Sequence, residues 1–189
     1  MNQEFFVHPK GLCESETVGA GTRIWAFAHV LSGARIGTDC NICDAAFIEG
    51  EVVVGDRVTI KNRVQLFDGV TIGDDVFIGP GAVFTNDPNP RSKLREGSDH
   101  LLNTTVGEGA TIGANATILP GLSIGDRAMV GAGSVVASDV PAHSLVYGSP
   151  ARHAGWVCTC GHRLDDNLQC GSCPHRFVVF KDSIVLSDS

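Results

Sequence analysis

The chain is poor in aromatic side chains and lacks long apolar runs. Aromatic residues form 6% of its 189 residues, with one tyrosine and two tryptophans. Because large cores rely on such side chains, their scarcity predicts a narrow interior. No apolar stretch approaches the roughly 20 residues of a membrane-spanning helix, and the first ten residues lack the features of a signal peptide. The sequence therefore predicts a cytoplasmic protein without a membrane span.

Net positive charge is also lacking. Lysine and arginine number 14 against 21 aspartates and glutamates, which gives a net charge of −7. Proteins that bind nucleic acid by charge need a basic surface, so we expect no nucleic acid partner. An anionic ligand would have to be held by a local group of basic residues.

Aliphatic residues instead recur at every sixth position through most of the chain. A helix has a period of 3.6 and an ordinary strand a period of 2, whereas a period of six with one large and one small inward residue is typical of a parallel β-helix. Three hexapeptides form one triangular coil, so the repeats predict about six coils. The large positions are Val18, Ile24, Val30, Ile36, Ile42, Ile48, Val54, Ile60, Leu66, Ile72, Ile78, Phe84, Val106, Ile112, Ile118, Ile124, Val130 and Val136.

The repeat is interrupted once, after Phe84, where a longer segment precedes Val106 than the pattern requires. The inserted segment, about residues 87–104, is rich in proline, asparagine and charge, which predicts a loop that leaves one corner of the coil. Such inserts often form the binding face of a solenoid. At the ends, Leu12 is expected to begin the stack, and residues 142–155 are expected to leave it.

The three corners of the predicted coil differ in sequence. On the first corner, the residue after each large aliphatic residue is always glycine, which indicates a structural role. On the third corner the same turn carries Asp68 in one coil and Asn86 at the equivalent position of the next. Successive coils are about 4.8 Å apart, so we expect these two side chains to be neighbours where the insert departs.

Several stretches resemble the left-handed β-helix acyltransferases, over residues 12–152. IWAFAHV (24–30), KNRVQLFDG (61–69), DDVFIGP (74–80) and FTNDPNPRS (84–92) resemble the N-acetyltransferases of UDP- or dTDP-linked 3-amino sugars. YGSPAR (147–152) resembles the terminal segment that borders the coenzyme A cleft. The resemblance implies a left-handed coil, acetyl-CoA as donor, a nucleotide-sugar acceptor for cell-surface glycans, and a homotrimer with active sites between subunits. Two residues depart from the family pattern. Ala26 stands where a bulkier residue is common, and Asp68 stands where glutamate is common.

N-acylation requires a neutral amine, a positioned thioester, a proton acceptor and oxyanion stabilisation. Asp68 is the first candidate to hold the ammonium or accept its proton, and Asn86 the candidate to orient the amine; either could equally be a turn residue. His29 is a candidate base, although a lone histidine is more often structural. Without a side chain in reach, the coenzyme A thiolate or water would take the proton.

Further residues are candidates for holding the two substrates. For the sugar nucleotide, basic and polar insert residues and residues of the family-like stretches are expected to contribute, although a solvated face or trimer packing would explain them too: Trp25, Asn62, Phe67, Arg91, Ser92 and Lys93. For coenzyme A, small residues of the late coils and the terminal turn are expected to contribute: Gly113, Ala114, Gly131, Ala132, Pro150 and Arg152.

A cysteine-rich tail follows the repeat region. Cys158, Cys160, Cys170 and Cys173 could bind one structural Zn²⁺, with His162 or His175 as possible substitutes, and disulfides or free thiols as alternatives. The chain is therefore divided into an acyltransferase domain, 1–152, and a zinc-ribbon-like module, 153–189. Because a short tail has little core of its own, bound metal would supply its folding energy.

A β-helix of this kind is also compatible with other functions. A γ-class carbonic anhydrase shares the fold but needs a close H-x4-H pair, which this chain lacks. Acetylation of another small acceptor stays open, as does a non-catalytic trimeric scaffold with a partner-binding tail.

Overall fold

The structure, a computed structural model, describes residues 5–93 and 100–187. Three parallel sheets form the sides of a triangular prism, so the chain is an all-β parallel solenoid. The first side, sheet A, contains β1 Phe6–Val7, β4 Arg23–Ile24, β7 Asn41–Ile42, β10 Thr59–Ile60, β13 Phe77–Ile78, β16 Thr111–Ile112, β19 Met129–Val130, β21 Ser144–Gly148 and β22 Ala151–Trp156. The second side, sheet B, contains β2 Leu12–Cys13, β5 His29–Val30, β8 Phe47–Ile48, β11 Gln65–Leu66, β14 Val83–Phe84, β17 Thr117–Ile118 and β20 Val135–Val136. The third side, sheet C, contains β3 Thr17–Val18, β6 Arg35–Ile36, β9 Val53–Val54, β12 Val70–Ile72, β15 Thr104–Val106 and β18 Ser123–Ile124.

The core is the ladder that the sequence predicted. Ile60 and Phe84 are fully buried, and the small ladder two residues earlier, including Val58 and Ala82, is equally buried. Because each strand is only two or three residues long, one large and one small side chain per hexapeptide fill the prism. Among the described residues no helix is long and apolar enough to cross a membrane.

The first corner, between sheets C and A, needs its glycines because the coils touch there. A Cβ atom on Gly19 would lie 2.5 Å from the carbonyl carbon of Gly37. Beside this column, aspartates link successive coils: the Thr38 N–H donates to Asp56 Oδ1 at 2.7 Å, and the Asp56 N–H donates to Asp74 Oδ1 at 2.8 Å. The corner is therefore a regular ladder of backbone contacts and carboxylates.

The insert leaves the third corner, between sheets B and C, without disturbing the coils. Ile72 of β12 pairs with Val106 of β15 across the whole insert, in the register that an uninterrupted coil would give. The insert is held at its base, because the Leu102 N–H donates to the Asn86 carbonyl at 2.9 Å. Residues 94–99 of the predicted insert, including the basic residue Arg95, lie outside the described residues.

Both ends of the stack differ from the sequence prediction. Cys13, not Leu12, pairs with Val30, and Leu12 is 50% exposed. The first coil is slightly shorter than its successors, and the buried Ser15 hydroxyl bonds the Ala34 carbonyl at 2.6 Å. The six-residue spacing predicts Leu12 at the inward position, but the shorter first coil places Cys13 there.

The far end continues beyond the predicted stop. Strand β21 adds to sheet A in parallel, with Val146 opposite Val130, and β22 then folds back antiparallel. Sheet C has the predicted six strands, but sheet A has eight parallel strands, so the solenoid reaches about eight turns at its longest side. The last coil is shorter than three full hexapeptides, so its strand falls outside the six-residue spacing.

The tail forms its own small core beside this end. Cys158, Leu164, Phe177 and Ile184 are buried together, and β23 Phe177–Phe180 pairs with β24 Ser183–Leu186 as a hairpin. The Ser183 hydroxyl donates to the Ala142 carbonyl at 2.6 Å, which ties the hairpin to the solenoid.

Candidate active site

Asp68 and Asn86 are brought together on the third corner, as their spacing predicted. The Asn86 amide Nδ2 donates to the backbone carbonyl of Asp68 at 3.1 Å, not to its carboxylate. Asp68 Oδ1 accepts the Glu51 N–H at 2.8 Å, and the Asp68 N–H donates to Glu49 Oε2 at 2.7 Å. The carboxylate is thus held by one of its oxygens to the turn of the coil below.

A small cleft of about 80 Å³ lies against this carboxylate. It is lined by Glu51, Asp68, Gly69, Leu101 and Asn103, so the base of the insert forms one of its walls. Two carboxylates at one cleft favour a cationic group. An amine that arrives as an ammonium ion would be held here by charge-assisted hydrogen bonds.

His29 lies on β5 of sheet B, below the Phe47 ring at 5.9 Å between ring centroids. Phe47 in turn contacts Phe67, the neighbour of Asp68, at 6.2 Å. The His29 Nε2 atom is buried without a hydrogen bond, and its nearest charged partner is Glu14 Oε2 at 3.6 Å. A column of rings therefore connects the candidate base to the third corner.

Trp25 and Asn62 lie together on the second corner, between sheets A and B. They line a cleft of about 280 Å³ with Asn41, Cys43 and Asp44. The Trp25 indole N–H donates to Asn41 Oδ1 at 2.7 Å, which fixes the ring although it is 36% exposed. The two candidate substrate residues thus share one cleft, away from Asp68 by the width of sheet B.

The basic insert residues are exposed. Arg91, Ser92 and Lys93 lie on the described part of the insert, and the Arg91 guanidinium donates to the Pro90 carbonyl at 2.8 Å. No contact places these three residues against Asp68 among the described ones. Their role in phosphate binding stays a prediction.

The late coils present small residues on the second corner, but the glycines have a structural reason. A Cβ atom on Gly113 would lie 2.6 Å from the Gly131 carbonyl carbon, and one on Gly131 would lie 2.7 Å from the Tyr147 Cβ. Coil contact alone thus requires both glycines. The assignment of this corner to coenzyme A then rests on Ala114 and Ala132, which follow them.

Two clefts near these coils carry an arginine each. One, of about 310 Å³, is lined by Arg63, Pro80, Gly81 and Asn115. The other, of about 160 Å³, is lined by the end of the solenoid and by Ala151, Arg152 and His153 of β22. Pro150 follows Ser149 through a cis peptide at the turn before β22.

The four tail cysteines converge. Their sulfur atoms all lie within 4.8 Å of one another. Cys158 and Cys173 are 3.4 Å apart, and Cys160 lies 3.5 Å from Cys170. Four Zn–S bonds of about 2.3 Å in a tetrahedron require sulfur separations near 3.8 Å. The cluster therefore has the size of a tetrahedral metal site.

The thiols also perturb one another. The Ser172 N–H, and then the neighbouring thiols, lower the pKa of Cys170 to about 6. The His175 N–H lowers the pKa of Cys173, but desolvation and the other three thiols outweigh it and raise that pKa to about 12. Four thiolates would thus repel one another unless a cation neutralised them. Nδ1 of His175 lies 3.6 Å from Cys158 Sγ, and Nδ1 of His162 lies 3.5 Å from Cys160 Sγ.

Some residues around Asp68 and Asn62 are not among the candidates predicted from the sequence. Glu49 and Asp44 occupy the positions one coil below Phe67 and Asn62, so the spacing of one coil could have found them. Glu51 lies one coil below Gly69, so the same spacing places it beside Asp68. Asn103 follows the insert, so no fixed spacing predicts its place.

Comparison with known proteins adds the family. The model of the bacterial transferase hexapeptide (six repeats) matches residues 51–86 and 103–138, on either side of the insert. A dTDP-3-amino-3,6-dideoxy-α-D-galactopyranose 3-N-acetyltransferase from Aneurinibacillus thermoaerophilus is 50% identical over 182 residues, 95% of this chain and 93% of that protein. Such coverage must include most of the cysteine-rich tail. Serine acetyltransferase 4 from Arabidopsis thaliana is 54% identical, but over only 28% of this chain and 15% of its own length.

Solved structures agree with the fold. The acetyltransferase domain of PglB from Neisseria gonorrhoeae superposes with a TM-score of 0.54 over 82% of this chain and 59% of that one, at 21% identity. A hexapeptide-repeat acetyltransferase from Vibrio cholerae, solved with acetyl coenzyme A, gives 0.55 over 66% of this chain and 70% of that one, at 31% identity. The chain is an enzyme that belongs to the hexapeptide-repeat acyltransferases, in the family of the nucleotide-linked 3-amino-sugar N-acetyltransferases.

Proposed function

We propose that the enzyme transfers the acetyl group of acetyl-CoA to the 3-amino group of a dTDP-linked 3-amino-3,6-dideoxyhexose. The observation that carries this proposal is the 50% identity with an acetyltransferase of that substrate class along nearly both whole chains. The acidic cleft at Asp68 supports it, because the acceptor is an amine. Comparison with the serine acetyltransferase gives little support for serine as acceptor, since it is confined to about a quarter of the chain.

The reaction needs no covalent intermediate with the enzyme. The neutral amine attacks the thioester carbonyl carbon, a C–N bond forms, and the tetrahedral oxyanion collapses with loss of the coenzyme A thiolate. The proton released from nitrogen must go to an acceptor. Positioning of both substrates is then the main contribution of the protein.

Asp68 is the side chain we assign to the amine. Its Oδ1 is held by the Glu51 N–H, so the carboxylate is fixed before substrate arrives. Asn86 braces the same turn through the Asp68 carbonyl and acts as a positioning residue. His29 is a second candidate acceptor, and the thiolate itself is the third, because it leaves as a base beside the nitrogen.

For the donor, we place acetyl-CoA along the late coils at Ala114 and Ala132. Arg63 and Arg152, in the clefts at either side, are the cations that could pair with its phosphates. Since the protein is acidic overall, these local charges would have to supply the attraction that the net charge does not.

We further propose a homotrimer with active sites between subunits. In one chain, Trp25 and Asn62 lie on the second corner whereas Asp68 and Asn86 lie on the third, with sheet B between them. A site that uses both groups is complete only where two chains meet. Light scattering should give three times the 19.9 kDa of the chain; a monomer with full activity would contradict this arrangement.

For the tail, we propose a separate module, residues 153–189, built around one structural Zn²⁺ held by Cys158, Cys160, Cys170 and Cys173. The size of the sulfur cluster supports zinc over two disulfides, and four ligands leave no open position for catalysis. His162 and His175 are close enough to donate hydrogen bonds to the sulfurs. The cytoplasmic location predicted from sequence is consistent with reduced thiols.

Metal analysis tests the module. Purified protein should contain one zinc per chain, and a strong chelator should release it with the appearance of four reactive thiols in the tail. Cys170→Ser should lower the zinc content while the solenoid stays folded. Zinc-free protein with these thiols already blocked would overturn the assignment.

The proposed reaction is tested by thiol release from acetyl-CoA with a panel of nucleotide sugars. We expect turnover with dTDP-3-amino-3,6-dideoxygalactose, weaker turnover with the UDP-linked 3-amino sugars, and none with the 4-amino isomer. Product analysis should place the acetyl group on the 3-nitrogen. Activity on serine but on no amino sugar would refute the proposal.

A further inference from the structure

The cleft on the second corner has the composition of a site for a flat heterocycle. Its volume of about 280 Å³ is near the lower limit of small-molecule pockets, roughly 300 Å³. One wall is the Trp25 indole, whose N–H edge is fixed by Asn41 at 2.7 Å. Phe6 supports the same ring edge-to-face, with centroids 5.7 Å apart. The ring is therefore anchored before any ligand binds.

Asn41 connects the wall to the floor of the cleft. Its Oδ1 accepts the Trp25 indole N–H, and its Nδ2 donates to Cys43 Sγ at 3.4 Å. Desolvation raises the pKa of the Cys43 thiol, so the sulfur is an uncharged acceptor at neutral pH. Asn41 thus uses both ends of its amide to hold Trp25 against the coil.

The remaining polar groups of the cleft are available to a ligand. Within the described residues, neither the Asp44 carboxylate nor the Asn62 side-chain amide makes a hydrogen bond. Thymine and uracil present an N–H between two carbonyl oxygens. A carboxylate can accept that N–H, and an amide NH₂ can donate to a neighbouring carbonyl. Cytosine has no N–H at that ring position, so the same groups would discriminate against it.

We propose that this cleft binds the pyrimidine base of the acceptor, stacked on Trp25, and that Asn41 is the positioning residue that holds the indole. The inference rests on the proposed function, because it requires an acceptor linked to a nucleotide. Asp44 and Asn62 are the groups that recognise the base. The alternative occupant of the cleft is a neighbouring subunit packed on Trp25.

The two tryptophans allow a direct measurement. Trp156→Phe, in the tail, leaves Trp25 as the only tryptophan. Titration of this variant with dTDP should quench the Trp25 emission to saturation, with the same Kd that calorimetry gives. CDP should bind at least about tenfold more weakly, because a site built to pair one hydrogen-bond pattern rejects another. Coenzyme A should leave the emission unchanged.

Steady-state kinetics distinguish a positioning role of Asn41 from a general loss of structure. Asn41→Leu should raise KM for the nucleotide sugar about tenfold, while kcat and KM for acetyl-CoA stay near wild type. Asn41→Asp keeps an oxygen acceptor for the indole N–H and should restore KM for the sugar nucleotide to within about threefold of wild type. Asp44→Asn should narrow the preference for dTDP over CDP, since an amide can also donate to the cytosine ring nitrogen.

The results that overturn the inference differ from those that overturn the function. Binding of dTDP by calorimetry with silent Trp25 emission would refute the subsite and spare the proposed acceptor class. Loss of the trimer mass in Asn41→Leu, with unchanged dTDP affinity, would show that Trp25 packs on a neighbouring chain. No dTDP binding at all would refute the nucleotide-linked acceptor and this subsite with it.

Discussion

The first and third corners of the prism come from the same six-residue repeat, yet they use it differently. Every turn of the first corner begins with glycine, and the Asp56 and Asp74 carboxylates each accept a backbone N–H from the coil below. The third corner varies from coil to coil, and only there do Asp68, Asn86 and the insert meet. Regular columns in this protein stabilise the stack, whereas the irregular third corner carries the residues that we propose to bind the acceptor amine.

The sharpest test of that contrast compares two aspartates with the same backbone role. Asp68 Oδ1 accepts the Glu51 N–H and Asp56 Oδ1 accepts the Thr38 N–H, and asparagine would preserve both bonds. Asp68→Asn should lower kcat about 100-fold, as expected for loss of a proton acceptor. Asp56→Asn should leave kcat unchanged in the same thiol-release assay. Equal turnover in both variants would remove Asp68 from the chemistry.

The converse test concerns stability. A Cβ atom on Gly55 would lie 2.9 Å from the Asp74 backbone nitrogen, so Gly55→Ala should lower the free energy of unfolding by about 1–3 kcal/mol. Ala137→Ser, at the equivalent repeat position of the exposed third corner, should change it by less than about 0.5 kcal/mol. Urea denaturation measures both. If Gly55→Ala left the free energy of unfolding unchanged, the first corner would tolerate a larger distance between successive coils than its contacts suggest.

A smaller effect is expected at Asn86. Its amide supports the Asp68 turn at 3.1 Å, so Asn86→Ala should lower kcat/KM for the amino sugar about tenfold through displaced geometry. The affinity for coenzyme A should not change, because the late coils are untouched. A loss of coenzyme A affinity instead would show that Asn86 supports the donor site and not the amino-sugar site.

The smallest effect is a pH dependence of the first corner. A hydrogen bond from the Arg57 guanidinium lowers the pKa of Asp75, and the Thr38 N–H lowers that of Asp56. A lowered folded-state pKa adds stability above the unfolded value, near 3.8, which is lost as pH falls through the folded value. Arg57→Gln should therefore make the free energy of unfolding less sensitive to pH as the pH falls through the unfolded value of Asp75 and below it. If the free energy of unfolding fell equally with pH in the variant and the wild type, the Arg57–Asp75 pair would contribute nothing to stability.

Much of the fold followed from the sequence because burial in this prism depends on one periodicity. Ile60 and Phe84 are buried where the pattern placed them, and Ile72 pairs with Val106 in the register expected across the insert. The pattern failed where the spacing changed. Cys13 replaces Leu12 in a shortened first coil, and Val146 pairs with Val130 across a shortened last one.

The site could be predicted only where residues occupy equivalent positions of successive coils. The spacing brought Asp68 next to Asn86, but it could not say that the amide would bond a backbone carbonyl rather than the carboxylate. Glu51 bonds Asp68 through its backbone N–H, and Asn103 reaches the cleft after the insert; a six-residue period encodes neither contact. The cysteine cluster was predicted from residue type and spacing, and its sulfur atoms do converge.

The unbroken register at the base of the insert has an evolutionary consequence. Strands β12 and β15 pair as neighbouring coils although the insert separates them, and closing a flexible loop costs only about 0.6 kcal/mol more for each doubling of its length. Loops of different length and composition could thus be grafted at this corner without repacking the prism. New acceptor preferences could then arise by exchange of one segment, while the donor half of the enzyme is inherited unchanged.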